Sequence, residues 1–293
     1  FYDPAHAAPT EEVVALASVL ADYDGIYTTH MRDEADHVVE SVEESIQIGA
    51  RANVPVIISH HKCQGKQNFG RSAEPLKIMA AARKPQPVAL DIYPYDACST
   101  VLNKTNVMGA LRTMVTWSDP HPEMSGRDLD DIADELGISP LEAMEKLMPG
   151  GAIYFMMDEA DIDRIMTSEN AMIGSDGLPE DAHPHPRLWG TFPRVLGHYV
   201  REKKLMPLNE AVHRMTGLSA GNFMLKDRGL IRQGYYADIT IFNADTVIDK
   251  ATYEKPKQYA LGIETVIVNG QIAWQNGGAS GARVGKVLKR TGT

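Results

Sequence analysis

Three residues whose side chains can hold a metal ion or move a proton follow short apolar runs of the chain. They are His30, His60 and Asp176. The run before His60 has the pattern of a parallel β-strand buried on both faces, and the segments before His30 and Asp176 are also predicted to be strands. The carboxyl ends of such strands meet at one edge of an α/β fold, so we expect these side chains to lie close together. Neutral imidazole is a good zinc ligand, bound zinc lowers the pKa of its water, and an aspartate can take the released proton.

The separation between His30 and His60 corresponds to one strand–helix repeat, which favours neighbouring strands. A single histidine after a strand is nevertheless more often structural. Two histidines and one aspartate also do not complete a catalytic zinc site, which has three protein ligands and a separate base. Cys63 is close enough in sequence to His60 to be considered as a ligand, but an ordinary loop thiol is an equal alternative.

A second set of residues surrounds the first. Lys62 lies two positions after His60, Tyr93 ends another apolar run, and Arg187 follows the loop after Asp176. Lysine and arginine near a pocket suit an anionic substrate group, and arginine can hold a carboxylate through two hydrogen bonds. The alternative for either cation is a solvated loop charge.

The elements that must position these residues alternate between two hydrophobic periods. Apolar runs predict strands at 25–30, 54–60, 88–94, 151–157 and 171–176, and amphipathic patterns predict helices at 34–51, 72–84 and 159–166. Strands alternating with helices of this length are typical of a parallel α/β sheet. Residues 96–150 interrupt the alternation, and we interpret them as an insertion of small helices. Near the end of the chain, Asn269-Gly270 between two β-rich runs predicts an antiparallel hairpin.

Composition narrows the function class. The 293 residues carry a formal net charge of −10, which disfavours a broad nucleic-acid surface. The absence of a long apolar run predicts no membrane span. With two cysteines, Cys63 and Cys98, a disulfide scaffold is excluded and a cytoplasmic protein is expected. The oligomeric state cannot be read from the sequence.

Five motifs together resemble a known family. The sequence resembles the N-acyl-D-amino-acid deacylases, or D-aminoacylases, of the amidohydrolase superfamily. The matching segments are Thr29-His30-Met31-Arg32-Asp33-Glu34, Ser59-His60-His61-Lys62, Asp91-Ile92-Tyr93-Pro94-Tyr95, Ile173-Gly174-Ser175-Asp176-Gly177 and His185-Pro186-Arg187-Leu188-Trp189-Gly190.

The resemblance implies a (β/α)8 metal-dependent hydrolase barrel joined to a small β-sandwich. Residues 1–230 would be the C-terminal half of the barrel, with the helical insertion at 96–150, and residues 231–293 part of the sandwich. The chain would thus be the C-terminal portion of a deacylase, since family members carry a longer upstream segment with further metal ligands.

The resemblance also implies roles for individual residues. His30 and His60 would be zinc ligands, Asp176 the catalytic acid and base, and Lys62, Tyr93 and Arg187 the binding site for the substrate α-carboxylate. The expected reaction is zinc-dependent hydrolysis of a small N-acyl-D-amino acid to a carboxylate and a free D-amino acid.

Two other functions stay open at this point. A cyclic-amide hydrolase resembling hydantoinase or dihydroorotase would belong to the same superfamily, but its bridging lysine precedes the first histidine, unlike Lys62. A catalytically silent amidohydrolase-like scaffold is the third possibility, although it would not need His30, His60 and Asp176 together.

Overall fold

The computed structural model describes residues 7–288, which form an α/β fold with three sheets. The strands are β1 (Tyr27–Thr29), β2 (Val56–Ile58), β3 (Val88–Ile92), β4 (Ala97–Val101), β5 (Arg112–Ser118), β6 (Gly150–Phe155), β7 (Ala171–Ile173), β8 (Ile239–Phe242), β9 (Ile263–Val268), β10 (Gln271–Gln275) and β11 (Gly278–Ala279). The α-helices are α1 (Thr10–Ser18), α2 (Val38–Ala52), α3 (Ala73–Ala82), α4 (Lys104–Gly109), α5 (Leu129–Leu136), α6 (Pro140–Leu147), α7 (Glu159–Thr167), α8 (Arg187–Arg194), α9 (Leu208–Met215) and α10 (Gly217–Asn222). A π-helical segment, Val195–Glu202, continues α8.

The first sheet is parallel, with the strand order β1-β2-β3-β7. Its inner strands are apolar on both faces; Ile57 and Ile58, for example, are both almost fully buried. One face packs with α2, α3, α7 and α9 around the main core cluster. Because these four strands run in the same direction, their carboxyl ends share one edge, which we call the site edge.

The hydrophobic period predicts that helix α2 begins at Glu34, but the helix begins at Val38. The Asp33 carboxylate accepts hydrogen bonds from the backbone N–H groups of Ala35 and His37, at 2.8 and 3.1 Å. Such side-chain bonding to the following backbone competes with a helical turn. Glu34 is therefore in the loop that leads from β1, where its side chain is buried at the site edge.

The interpretation of residues 96–150 as a helical insertion is wrong in part. This segment contributes β4 and β5 as well as α4, α5 and α6. The predicted strand near 151–157 forms as β6, but it pairs antiparallel with β4 and β5 and does not join the parallel sheet. The separate core cluster beneath this second sheet includes Leu129, Ile132 and Tyr154. These pairings join residues 32 to 58 positions apart, which a local pattern does not reveal.

The third sheet is antiparallel, in the order β11-β10-β9-β8. The Asn269-Gly270 hairpin forms as predicted, with φ angles of +49° and +80°. Two consecutive left-handed residues are what a two-residue hairpin turn of this twist requires. In this C-terminal region the described residues 7–288 form one sheet and no second sheet that would complete a β-sandwich.

The described strands also do not close a barrel. The parallel sheet of residues 7–288 has four strands, with β1 and β7 at its two edges. Within this part of the chain no helix is long and apolar enough to cross a membrane. The cytoplasmic location stays a prediction.

Candidate active site

The site edge carries most of the residues that the sequence singles out. His30 directly follows β1, His60 lies just beyond β2, Tyr93 directly follows β3, and Asp176 lies just beyond β7. Lys62 is in the same loop as His60. Four neighbouring strands therefore deliver these side chains from positions far apart in sequence.

The two histidines are in contact. Nδ1 of His30 lies 3.0 Å from Nε2 of His60, and both rings are largely buried. Burial is the largest cause that lowers the pKa of His30, to about 4, so its imidazole is neutral at physiological pH. Neutral imidazole nitrogens that approach each other this closely are suited to share one metal ion.

Glu34 is the principal site residue that the sequence reasoning missed. With His30 and His60 it forms a group whose potential metal-binding atoms all lie within 4.8 Å of one another. Burial alone would raise the pKa of the Glu34 carboxyl, but Lys62 and His60 outweigh this effect and hold the pKa well below its usual range. Its position four residues after His30 was the available signal, and the predicted helix obscured it.

The backbone at His60 is held in an unusual conformation. His60 has a φ of +40°, in the left-handed region that a residue with a side chain seldom adopts. The Asp91 carboxylate accepts a 2.9 Å hydrogen bond from the His60 N–H, and burial raises the pKa of that carboxyl. Gly174 leaves room for this arrangement, since a Cβ there would lie 2.7 Å from Asp91 Oδ1. Non-glycine residues strained in this way concentrate at functional sites.

The proposed carboxylate-binding residues form one connected group. The ring of Tyr93 lies 5.7 Å from the Lys62 ammonium and 4.5 Å from the Arg187 guanidinium. Nη2 of Arg187 also makes a 2.8 Å ion pair with Oδ2 of Asp176. Lys62 in turn lies 2.7 Å from Nδ1 of His60. The two histidines are thereby linked through Lys62, Tyr93 and Arg187 to Asp176.

Arg187 is buried but only partly bonded. It begins α8, and its N–H donates to Nδ1 of His185, whose Nε2 lies 3.0 Å from the Ala97 carbonyl. Its side chain is 1% exposed, and within residues 7–288 its Nε and Nη1 have no hydrogen-bond partner. An unpaired buried donor is costly, so these two N–H groups are suited to an anionic ligand.

Cys63 and His61 are placed differently from the residues above. Cys63 is 1% exposed, and burial is the largest cause that raises the pKa of its thiol to about 12. A thiol that stays protonated is a poor metal ligand. His61 is fully buried, and burial lowers its pKa to about 4. Neither belongs to the metal-binding group of the described residues.

Comparison with known proteins defines the class. A family model described as "Amidohydrolase family" matches residues 99–273. The chain belongs to the amidohydrolase family.

Individual proteins are also similar to this chain over almost its whole length. A D-aminoacylase of Alcaligenes xylosoxydans xylosoxydans is 53% identical over 99% of this chain and 60% of its own length. An N-acyl-D-aspartate deacylase of the same organism is 47% identical over 98% of this chain and 58% of its own length. The crystal structure of an N-acyl-D-glutamate deacylase from Bordetella bronchiseptica, complexed with zinc and a phosphonate inhibitor, matches with a TM-score of 0.95 at 46% identity. The match covers 99% of this chain and 61% of the chain in that crystal structure. The chain thus spans about 60% of the length of the relatives it matches.

Proposed function

We propose that this chain carries most of the active site of a zinc-dependent hydrolase that cleaves N-acyl-D-amino acids to a carboxylate and a free D-amino acid. The observation that carries the proposal is the connected group at the site edge. It places a pair of buried histidines, a carboxylate and a buried arginine within one network, and Nε and Nη1 of that arginine have no hydrogen-bond partner among the described residues. The similarity to deacylases of linear amides supports the same reaction class.

The donor set fits a zinc ion. His30 and His60 would hold the metal through the ring nitrogens that approach each other to 3.0 Å. His30 needs no deprotonation at neutral pH, because burial has already lowered its pKa to about 4. Zinc at this position would supply a Lewis acid and an acidified water. A catalytic zinc site has three protein ligands, so these histidines account for two of them.

The chain's own residues would divide the remaining work. The Asp176 carboxylate would accept a proton from the attacking water and deliver it to the leaving amine nitrogen. Lys62, Tyr93 and Arg187 would hold the substrate α-carboxylate, with Nε and Nη1 of Arg187 donating to its oxygens. Because Arg187 also contacts Asp176 at 2.8 Å, the same guanidinium would set the distance between the bound carboxylate and the proton-transfer group.

The proposal extends to the architecture of the whole protein. Residues 1–230 would form part of a (β/α)8 barrel, and residues 231–293 part of a β-sandwich. The four parallel strands and the C-terminal antiparallel sheet support this division. The substrate would be a small molecule. Relatives named for different side chains are 46–53% identical, so overall identity does not select among neutral, aspartyl and glutamyl substrates.

The test is a comparison of substrates in the complete natural protein, with and without a chelator. We expect hydrolysis of N-acetyl-D-methionine, little hydrolysis of the L enantiomer, and loss of activity on chelation. Preferential opening of a hydantoin ring would instead establish the cyclic-amide function. A protein that binds no zinc and hydrolyses none of these compounds would support the scaffold hypothesis.

A further inference from the structure

The Glu34 carboxylate lies within hydrogen-bonding distance of three side chains from one neighbouring loop. Oε1 lies 2.8 Å from Nζ of Lys62 and 3.0 Å from Nδ1 of His60, and Oε2 accepts from the side-chain amide of Gln64. The Glu34 side chain is 1% exposed. A buried carboxylate with this set of partners is strongly held and is screened little by solvent.

We propose that Glu34 is a positioning residue that fixes the tautomer of His60 and the location of Lys62 at the same time. The inference rests on the proposed function and deepens it. It joins the metal ligand and the carboxylate-binding lysine through one side chain.

The tautomer follows from donor and acceptor chemistry. An ionised carboxylate can only accept, so a hydrogen bond between Glu34 and His60 requires the proton on Nδ1. The lone pair is then on Nε2, the nitrogen that lies 3.0 Å from His30. A histidine that binds a metal usually donates its other ring N–H to a carboxylate in this way.

Lys62 is the reason why the carboxylate is needed. Its ammonium can only donate, and it lies 2.7 Å from the same Nδ1 of His60. Without the negative charge of Glu34, Lys62 would donate to the Nδ1 lone pair. The ring proton would then be on Nε2, where it blocks metal binding. Glu34 instead offers one acceptor, Oε1, to both groups, at 2.8 Å from the ammonium and 3.0 Å from Nδ1, and this acceptor favours the N–H on Nδ1.

The competing role for Glu34 is that of a direct metal ligand. Its Oε2 lies 3.8 Å from Nε2 of His30, and the three residues form one potential metal-binding group. The two roles predict different results when Lys62 is also removed, since Lys62 matters only if Glu34 acts through His60.

The experiment measures zinc affinity by chelator competition in the complete natural protein. We expect Glu34→Gln to weaken zinc binding about 10- to 100-fold. Glu34→Asp, which keeps the negative charge, should lose less zinc affinity than Glu34→Gln. Adding Lys62→Met to Glu34→Gln should restore most of the lost affinity, because the competing ammonium is gone. Glu44→Gln is the matched control, since that carboxylate pairs with Arg32 away from the metal-binding group, and its zinc affinity should not change.

Failure of the double variant to regain affinity, together with a loss as large as that of His60→Asn, would overturn the proposal and make Glu34 a ligand. If Glu34→Gln does not fold, the tautomer is read directly in the zinc-stripped wild-type protein by 15N spectra of labelled histidine. A proton on Nδ1 of His60 is expected, and a proton on Nε2 would refute the role. None of these readouts needs hydrolysis, so they separate the failure of this inference from that of the proposed function.

Discussion

Arg187→Met tests the proposed carboxylate-binding group. Methionine keeps much of the side-chain length but removes the charge and every donor. The buried guanidinium offers Nε and Nη1, which have no partner within residues 7–288. A hydrogen bond to a charged group contributes ~1.5–3 kcal/mol, so two such bonds to a substrate carboxylate contribute at least about 3 kcal/mol. That free energy corresponds to roughly a 100-fold change in kcat/KM.

The assay compares N-acetyl-D-methionine with its α-carboxamide. The wild-type protein should prefer the acid, and Arg187→Met should reduce this preference roughly 100-fold because the amide never used the guanidinium charge. Arg194→Met is the matched control. Arg194 is in the same helix but bonds to the Pro94 carbonyl and Asp249, so the acid-to-amide ratio should stay at the wild-type value.

The acid-to-amide ratio also distinguishes binding of the substrate carboxylate by Arg187 from its contact with Asp176. If Arg187 serves only to hold Asp176, its loss will lower the rates for acid and amide equally. An unchanged ratio would therefore refute the carboxylate-binding role. Bound zinc should stay near the wild-type level throughout, and loss of zinc would assign Arg187 a structural role instead.

Two further predictions concern proton-binding residues. Asp176→Asn should keep zinc and lower kcat about 10²- to 10⁴-fold, the usual contribution of general acid–base catalysis, whereas unchanged turnover would remove Asp176 as the base. His185 should make folding sensitive to acid, because burial, aided by Arg187, lowers its pKa well below the ordinary 6.5. The unfolded chain therefore binds more protons below pH 6.5, and stability is lost as pH falls through that value by up to about 1.4 kcal/mol per pH unit. In urea unfolding, His185→Asn should flatten this slope, while the exposed His37→Asn should not; equal slopes would contradict the assignment.

The positions of the site residues could be predicted because strand ends are a local feature. His30, His60, Tyr93 and Asp176 each follow a segment predicted to be a strand, and parallel strands place such residues at one edge. The Asn269-Gly270 turn was readable for the same reason, since the dipeptide itself determines the hairpin.

Other features depend on contacts between distant residues. The sheet formed by β4, β5 and β6 arises from pairings between residues 32 to 58 positions apart, which the local pattern of residues 96–150 does not indicate. Glu34 was assigned to a helix because its hydrophobic period continues into α2. The Asp33 carboxylate accepts hydrogen bonds from two following N–H groups, so Glu34 lies in a loop at the site and not in the helix. The hydrophobic period of a sequence does not indicate such a side-chain hydrogen bond.

The ion pair between Arg187 and Asp176 could not be predicted either. The two residues were assigned separate roles, in substrate binding and in proton transfer, and their 2.8 Å contact depends on how α8 packs beside the end of β7. The structure makes the two roles neighbours in space, which links recognition of the carboxylate to placement of the base.

The central claim is that hydrolysis depends on a metal ion held by His30 and His60. The most direct measurement adds zinc in steps to the chelator-stripped complete protein, while bound zinc and hydrolysis of N-acetyl-D-methionine are followed together. We predict that activity rises in proportion to the first equivalent of zinc bound, and that His60→Asn neither binds this zinc tightly nor regains activity. Full activity in the stripped protein, or in His60→Asn, would contradict the account.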